Sequence, residues 1–383
     1  MTKFHVLTGV ALAALLSTAL VFAGQAQAAD AKRTDFGKLA DGQTVEAITL
    51  SNHKGMSATV ITYGASLQAL ITPDRNGKPA DITLGYADLD HYVSNPQYFG
   101  ATVGRFANRI NKGQYSIDGK SYQAPVNNGV NSLHGGTRGF DKVNWKVVKI
   151  ADGDSASVEL EYVSPDGDMG YPGQMTVHAT YALNEANELT IKYMAATTKT
   201  TIVNITNHAY WNLNGEGSAH SVNDSKLTLL ADSYLPTDSG AIPTGEVRKV
   251  AGTVFDFRKP TAIGARVRDA SEQQLVYGRG YDHNWIASRE KTAQPRLMAV
   301  VEDDVSGRKL ELLSDQPGIQ FYSGNFLDGT SSGKSGGIYR EGDAFVLEPQ
   351  IFPDTPNQPA FGSALLHPGE TYSNTLIYRF SAQ

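Results

Sequence analysis

Glu348 ends the apolar run Ala344-Phe345-Val346-Leu347 and is followed at once by Pro349, in a segment that continues Gln350-Ile351-Phe352-Pro353-Asp354-Thr355-Pro356. A strand-forming run that closes on a charge and a proline predicts a carboxylate at the rim of a sheet. Apolar surroundings disfavour the charged form, so hydrogen-bond donors or cations must hold the carboxylate ionised if it is to accept a proton. A polar strand end capped by a stiff loop explains the same segment without chemistry. His208 lies in Thr206-Asn207-His208-Ala209-Tyr210-Trp211-Asn212-Leu213, directly after the strand-like Ile202-Val203-Asn204-Ile205. An imidazole titrates near neutral pH and suits proton donation. The amides and rings around it offer directional donors for hydroxyls and flat apolar faces for the C–H groups of a pyranose. A buried structural histidine is the competing reading.

Further segments carry polar groups that only folding could bring together. In Gly104-Arg105-Phe106-Ala107-Asn108-Arg109-Ile110, the adjacent Asn108 and Arg109 can donate several fixed hydrogen bonds to neutral hydroxyls, or form part of an ordinary surface loop. In Asn131-Ser132-Leu133-His134-Gly135-Gly136, a histidine precedes glycines that let a backbone approach a ligand closely. Gly280-Tyr281-Asp282-His283-Asn284-Trp285 sets a second carboxylate beside a histidine and an indole, and Gln320 stands on a strand-like run from Gly318 to Tyr322. Gln320 and Glu348 occupy consecutive strand-like runs, so hairpin pairing would bring them together.

Other chemistries lack their residues. His134, His208 and His283 with a carboxylate could compose a zinc site, but no two stand at the short local spacings of zinc motifs. Asp166-Gly167-Asp168 has the composition of part of a calcium loop without its later glutamate, and reads as a turn. No Gly-x-Ser-x-Gly elbow and no phosphate-cradling glycine loop occurs.

These side chains must be positioned by strands. Period-two alternation recurs in Met175–Tyr181, Leu189–Tyr193, Lys309–Leu313 and Thr375–Tyr378, giving each run one face for the core and one for water. Asp118-Gly119 between Gln114–Ile117 and Lys120–Tyr122 is a strong two-residue hairpin turn, and Asn184–Asn187 separates two further alternating runs. Helical turns are expected only around Leu89–Tyr92 and Ser271–Leu275. No repeat of propeller length appears, and the Gly/Ser-rich Ser331–Gly337 reads as a mobile surface loop. The expectation is an all-β chain with two large stacked antiparallel sheets, a β-sandwich.

Of 383 residues, 40% are hydrophobic, which is ample for a core, while 38 glycines and 16 prolines point to many turns. The formal charge of −6, with no basic stripe, argues against nucleic acid or an anionic membrane surface as partner. No cysteine is present, which excludes disulfides, thiolate chemistry and lipid attachment through sulfur. Lys3, the apolar stretch from Val10 to Ala23 and the small residues Ala26-Gln27-Ala28 have the form of an export signal. Residues 1–28 are therefore expected to be removed, leaving 29–383 as one catalytic domain in the periplasm or outside the cell.

Taken in order, Gly-Arg-Phe-Ala-Asn-Arg-Ile, Asn-Ser-Leu-His-Gly-Gly, Thr-Asn-His-Ala-Tyr-Trp-Asn-Leu, Tyr-Asp-His-Asn-Trp, Gly-Ile-Gln-Phe-Tyr-Ser-Gly-Asn-Phe and Leu-Glu-Pro-Gln resemble the aldose 1-epimerase (galactose mutarotase) family, from about Lys38 to Phe380. The resemblance implies a large β-supersandwich and a cofactor-free interconversion of the α and β anomers of free aldoses such as glucose and galactose. It casts Glu348 as general base and His208 as general acid. Asn108, Arg109, His134, Tyr210, Asp282 and Gln320 resemble the sugar-binding residues. Trp211 stands where many relatives have phenylalanine and Pro349 where some have threonine, and neither change removes a reacting group. A glycoside hydrolase using Glu348 and Asp282, a non-catalytic sugar binder and an epimerase of phosphorylated hexoses are the alternatives. The oligomeric state is not legible.

Overall fold

A computed structural model describes residues 1–5 and 29–383, so residues 6–28 of the expected export signal lie outside the described residues. The alternating runs become strands as their patterns require. In Met175–Asn184 every second residue from Met175 to Leu183 is buried, and the strand pairs with Glu188–Thr197 across the Asn184–Asn187 turn. Asn184 drives that turn, its Oδ1 accepting from the N–H groups of Ala186 and Glu188, while Asn187 takes a left-handed φ of 60°. At the shorter hairpin, Asp118 and Gly119 both have positive φ, the geometry that matches the twist of the strands Gln114–Ile117 and Lys120–Gln123.

Three antiparallel sheets dominate, where two were expected. A nine-stranded sheet is centred on Met175–Asn184, Glu188–Thr197, Tyr372–Ala382 and Arg308–Ser314; a six-stranded sheet carries the candidate site; and a five-stranded meander runs from Asp30–Lys38 to Pro79–Asp81. The largest hydrophobic cluster draws on all three, including Leu50, Val60, Val177, Ile191, Trp285 and Leu347. The expected helical turns are the short helices Leu89–Ser94 and Gln273–Gly278. Among the described residues no helix is long and apolar enough to cross a membrane.

The six-stranded sheet runs in the order Tyr210–Trp211, Phe345–Gln350, Gly318–Tyr322, Asp282–Ile286, Ser233–Leu235, Arg248–Lys249. Its register sets Asn284 opposite Gln320 and Gln320 opposite Glu348. Directly opposed residues share a face, and every second residue joins them. One face therefore bears Asp282, Asn284, Gln320, Glu348 and Gln350. The other sends Trp285, Phe321 and Leu347 into the main core, where each large side chain contributes about 2–3 kcal/mol through burial.

Two local expectations are corrected. Glu348 does not stand at a rim: its strand continues through Pro349 to Gln350, and the carboxylate is 2% exposed. Proline is tolerated there because the neighbour Tyr210–Trp211 reaches only to Val346, leaving no ladder on that side of Pro349. Ser331–Gly337 is not a free loop either. It closes a hairpin of Asp328–Ser332 with Ile338–Arg340, pinned by Lys334, whose Nζ donates to Asp81 Oδ2 (2.6 Å) and the Gln68 carbonyl (2.7 Å). This hairpin lies between the runs holding Gln320 and Glu348, which pair side by side as expected.

Candidate active site

A cleft of about 740 Å³ opens over the polar face of the six-stranded sheet, and Asn108, Arg109, His134, His208, Tyr210, Asp282, Gln320 and Glu348 all line it. Residues scattered over some 240 positions meet because three separate loops converge on one sheet face. His208 ends the short strand Thr206–His208, which pairs with Ala101–Val103. Arg109 belongs to a two-residue strand paired with Ser132-Leu133, which delivers the following His134 beside Asn108. The Pro353–Pro359 turn buttresses this pair: Asp354 N–H donates to the Arg109 carbonyl (2.9 Å) and Asp354 Oδ1 accepts from Asn111 N–H (2.9 Å).

At the floor, His208 Nε2 lies 2.9 Å from Glu348 Oε1, and both side chains are almost wholly buried. Burial alone would discharge the imidazole. The adjoining carboxylate of Glu348, with Asp282 further off, outweighs burial and raises the His208 pKa above its ordinary value, so His208 is held as the imidazolium. Glu348 Oε2 is buried and has no protein partner. The two groups that the family resemblance casts as base and acid are therefore in direct contact.

His134 is held in the opposite state. Burial, together with the charges of His208, Arg109 and Lys142, drives its pKa well below the ordinary value, so it is neutral. Its Nδ1 accepts from the Asn108 backbone N–H at 3.1 Å, which forces the remaining proton onto Nε2 and makes that nitrogen a donor. This bears on metal binding, because ligating atoms of His134, His208 and Glu348 gather within 4.8 Å of one another. A ligating imidazole presents a lone pair to the metal while its other nitrogen donates outward. His134 has the reverse arrangement, so the trio suits an acceptor oxygen better than a cation.

Asn108 takes a left-handed φ of 62°, which asparagine tolerates, and its Oδ1 accepts from the Arg109 N–H. Arg109 donates from Nε to Asn128 Oδ1 (3.1 Å) and faces Asp282 Oδ2 from Nη1 at 3.6 Å. Asp282 Oδ1 accepts from Gln320 Nε2 at 2.7 Å, leaving Gln320 Oε1 buried without a protein partner. Arg109, Asp282 and Gln320 thus form a chain of fixed donors and acceptors along one wall. Tyr210 lies under the His208 ring at a centroid distance of 5.0 Å.

Two neighbours in the sequence point elsewhere. His283, between Asp282 and Asn284, faces the core: its Nδ1 accepts from the Asp282 N–H, its Nε2 meets Gln274 Oε1, and burial pushes its pKa down to about 4. It belongs to no cluster with His134 and His208. Arg105 also turns away from the cleft, its guanidinium buried against the carbonyls of Pro172 and Gly173 and the Ser164 hydroxyl. Sequence reasoning missed Tyr98, which lines the cleft beside His134 and His208, and Asn128, which orients Arg109. Tyr98 left only a faint signal, an aromatic pair ahead of Gly100 and the strand that pairs with Thr206–His208.

With this geometry in view, the family profile described as aldose 1-epimerase matches residues 46–379. Galactose mutarotase from Rattus norvegicus is 45% identical over 91% of this chain and 98% of its own. Aldose 1-epimerase from Escherichia coli K12 is 37% identical over 90% of this chain and 97% of its own. Among solved structures, an aldose epimerase homologue from C. elegans superposes with a TM-score of 0.79 at 33% identity, covering 88% of this chain and 98% of that one. A galactose 1-epimerase from Lactobacillus acidophilus gives a TM-score of 0.80 at 29% identity, covering 92% and 99%.

Proposed function

Because the chain belongs to the aldose 1-epimerase family, and is an isomerase that interconverts the anomers of aldoses, we propose that it acts on free aldohexoses such as galactose and glucose by general acid/base ring opening at Glu348 and His208. The 2.9 Å contact between His208 and Glu348 in the lining of the cleft, with Glu348 Oε2 left without a protein partner, is the observation that carries this reading. The sugar parts the ion pair. Its O1–H approaches Oε2 while the imidazolium turns from Oε1 to the ring oxygen O5. Glu348 takes the O1 proton as His208 protonates O5, the C1–O5 bond breaks, and the open-chain aldehyde forms. Rotation about C1–C2 presents the other carbonyl face, and the reverse transfers close the second anomer.

His134 donates from Nε2 toward the oxygen that His208 protonates, and it stays neutral so as not to compete as an acid. Arg109, Asp282 and Gln320, joined in one chain, fit outer hydroxyls, with Asn108 beside them. Tyr210 supplies an apolar floor. The reaction shifts protons and breaks and re-forms one C–O bond with no change of oxidation state, so this reading needs no metal and no cofactor. Asp282 is engaged by Arg109 and Gln320 and is not a free acid for glycoside hydrolysis, which favours anomer interconversion over bond cleavage.

We also propose export, with residues 1–28 removed and the enzyme acting in the periplasm or medium on monosaccharide there; the charge and apolar pattern of the first residues supports this. Polarimetry of fresh α-D-galactose and α-D-glucose, with and without chelator, tests the reaction. Acceleration of both at unchanged rate in chelator is expected, and no acceleration over buffer would overturn the proposal. N-terminal sequencing of the protein from periplasmic extract tests the cleavage.

A further inference from the structure

Tyr98 combines features that neither the fold nor the acid/base pair requires. It is a non-glycine residue at φ 59°, a conformation that a bulky L side chain rarely adopts and that the surrounding structure must hold in place. The turn that holds it is fastened to His208: the Gly100 N–H donates to the His208 carbonyl at 3.0 Å, and Asn207 Nδ2 donates to the Gly100 carbonyl at 2.7 Å. From there the Tyr98 ring meets His134 edge-on at a centroid distance of 4.8 Å and lies tilted against His208 at 5.7 Å. The Lys142 ammonium sits 4.9 Å from the same ring centroid, paired with the buried Asp141. Tyr98 lines the cleft, whereas Lys142 and Asp141 do not.

We propose that Tyr98 is a positioning residue of the reaction, its ring fixing the two imidazoles and standing between His208 and the Lys142 ammonium. The titratable and charged groups around His208 are Glu348 and Asp282, which favour its imidazolium, the neutral His134, the Arg109 guanidinium, and the Lys142–Asp141 pair beside Tyr98. The cation is satisfied by the aromatic face and by Asp141, so its field reaches the acid weakened. Without the ring, water and a mobile ammonium reach the imidazolium and favour its loss of a proton. Loosened imidazoles also lose the angle at which they meet O5.

This rests on His208 serving as the acid, and the test separates the two. In Tyr98→Ala, kcat falls about tenfold with KM within about twofold, and the alkaline limb of the kcat/KM profile moves down by about one pH unit. Adding Lys142→Met to that variant returns the limb at least halfway to its wild-type position. Lys142→Met alone, and Tyr98→Phe, leave the profile unchanged. Tyr98→Leu, which keeps apolar bulk without an aromatic face, replaces the alanine variant if the latter does not fold, and must show the same limb shift. Overlaid profiles for Tyr98→Ala and wild type, or a Lys142→Met addition without effect, would overturn the proposal while an inactive His208→Asn leaves the acid assignment standing. An active His208→Asn overturns both.

Discussion

The two faces of the six-stranded sheet are built from the same strands, residue by residue in alternation, and behave as different materials. On one face Asp282, Gln320 and Glu348, which line the cleft, are tied to Arg109 and His208 and keep buried acceptor atoms unpaired. On the other, His283, Trp285, Phe321 and Leu347 are sealed among aromatic rings, Trp285 packing against Phe255 at 5.7 Å and Phe321 at 5.8 Å. The contrast between His208 and His283 is sharpest. Both are buried and both stand near aromatics, yet a carboxylate partner charges one while apolar packing discharges the other. A rigid packed face supports a reactive one: the strands cannot shift without opening the core, so the polar row keeps its register.

Glu348→Gln breaks the contrast at its centre and has the largest expected effect. Mutarotation by polarimetry falls by about 10³–10⁴-fold while galactose binding by calorimetry persists. A variant within tenfold of wild type would remove Glu348 from the chemistry. Trp285→Ala strikes the opposite face. Denaturant unfolding is expected to show a loss of about 3–5 kcal/mol, with kcat per folded molecule nearly unchanged, and a selective loss of kcat at full stability would contradict the division of labour between faces.

The third prediction concerns pH. His283 has a depressed pKa in the folded protein, so the unfolded chain binds a proton that the native one refuses between about 6.5 and 4. Stability is therefore lost as pH falls through that window, by roughly 3 kcal/mol from this group. His283→Gln should flatten the stability curve there by up to one proton relative to wild type, with carboxylate contributions cancelling in the difference. Parallel curves would mean that His283 is solvated. The smallest effect belongs to the binding wall, where Asp282→Asn weakens the links to Arg109 and Gln320. It is expected to raise KM by about tenfold and to lower kcat by less. A kcat loss comparable with that of Glu348→Gln would move Asp282 into the reacting pair.

Much of this was legible from residue order. Alternation in Met175–Asn184, the Asp118-Gly119 turn and the brief helices appear where the pattern puts them, since local backbone chemistry decides them. The cleft residues were legible as types, because few side chains move protons or hold hydroxyls. Local reasoning failed where a distant partner decided the outcome. Pro349 was expected to end its strand, but its neighbour on one side stops short and no ladder is broken. Ser331–Gly337 has the composition of a mobile loop, but Lys334 anchors it to Asp81. Tyr98 went unnoticed because its importance lies in two histidines and a lysine remote in sequence.

By itself, then, the sequence determined that this is an all-β chain carrying carboxylates, imidazoles and amide and guanidinium donors in recognisable segments, because side-chain chemistry and period-two burial are local properties. Only the tertiary structure decided that Asp282 faces the cleft while His283 faces the core, that His208 and Glu348 touch, and that His134 is a donor and not a ligand. Those outcomes depend on register and on the charges that folding gathers. One residue of register slip turns every side chain to the other face, and a buried imidazole takes its charge from what it is packed against.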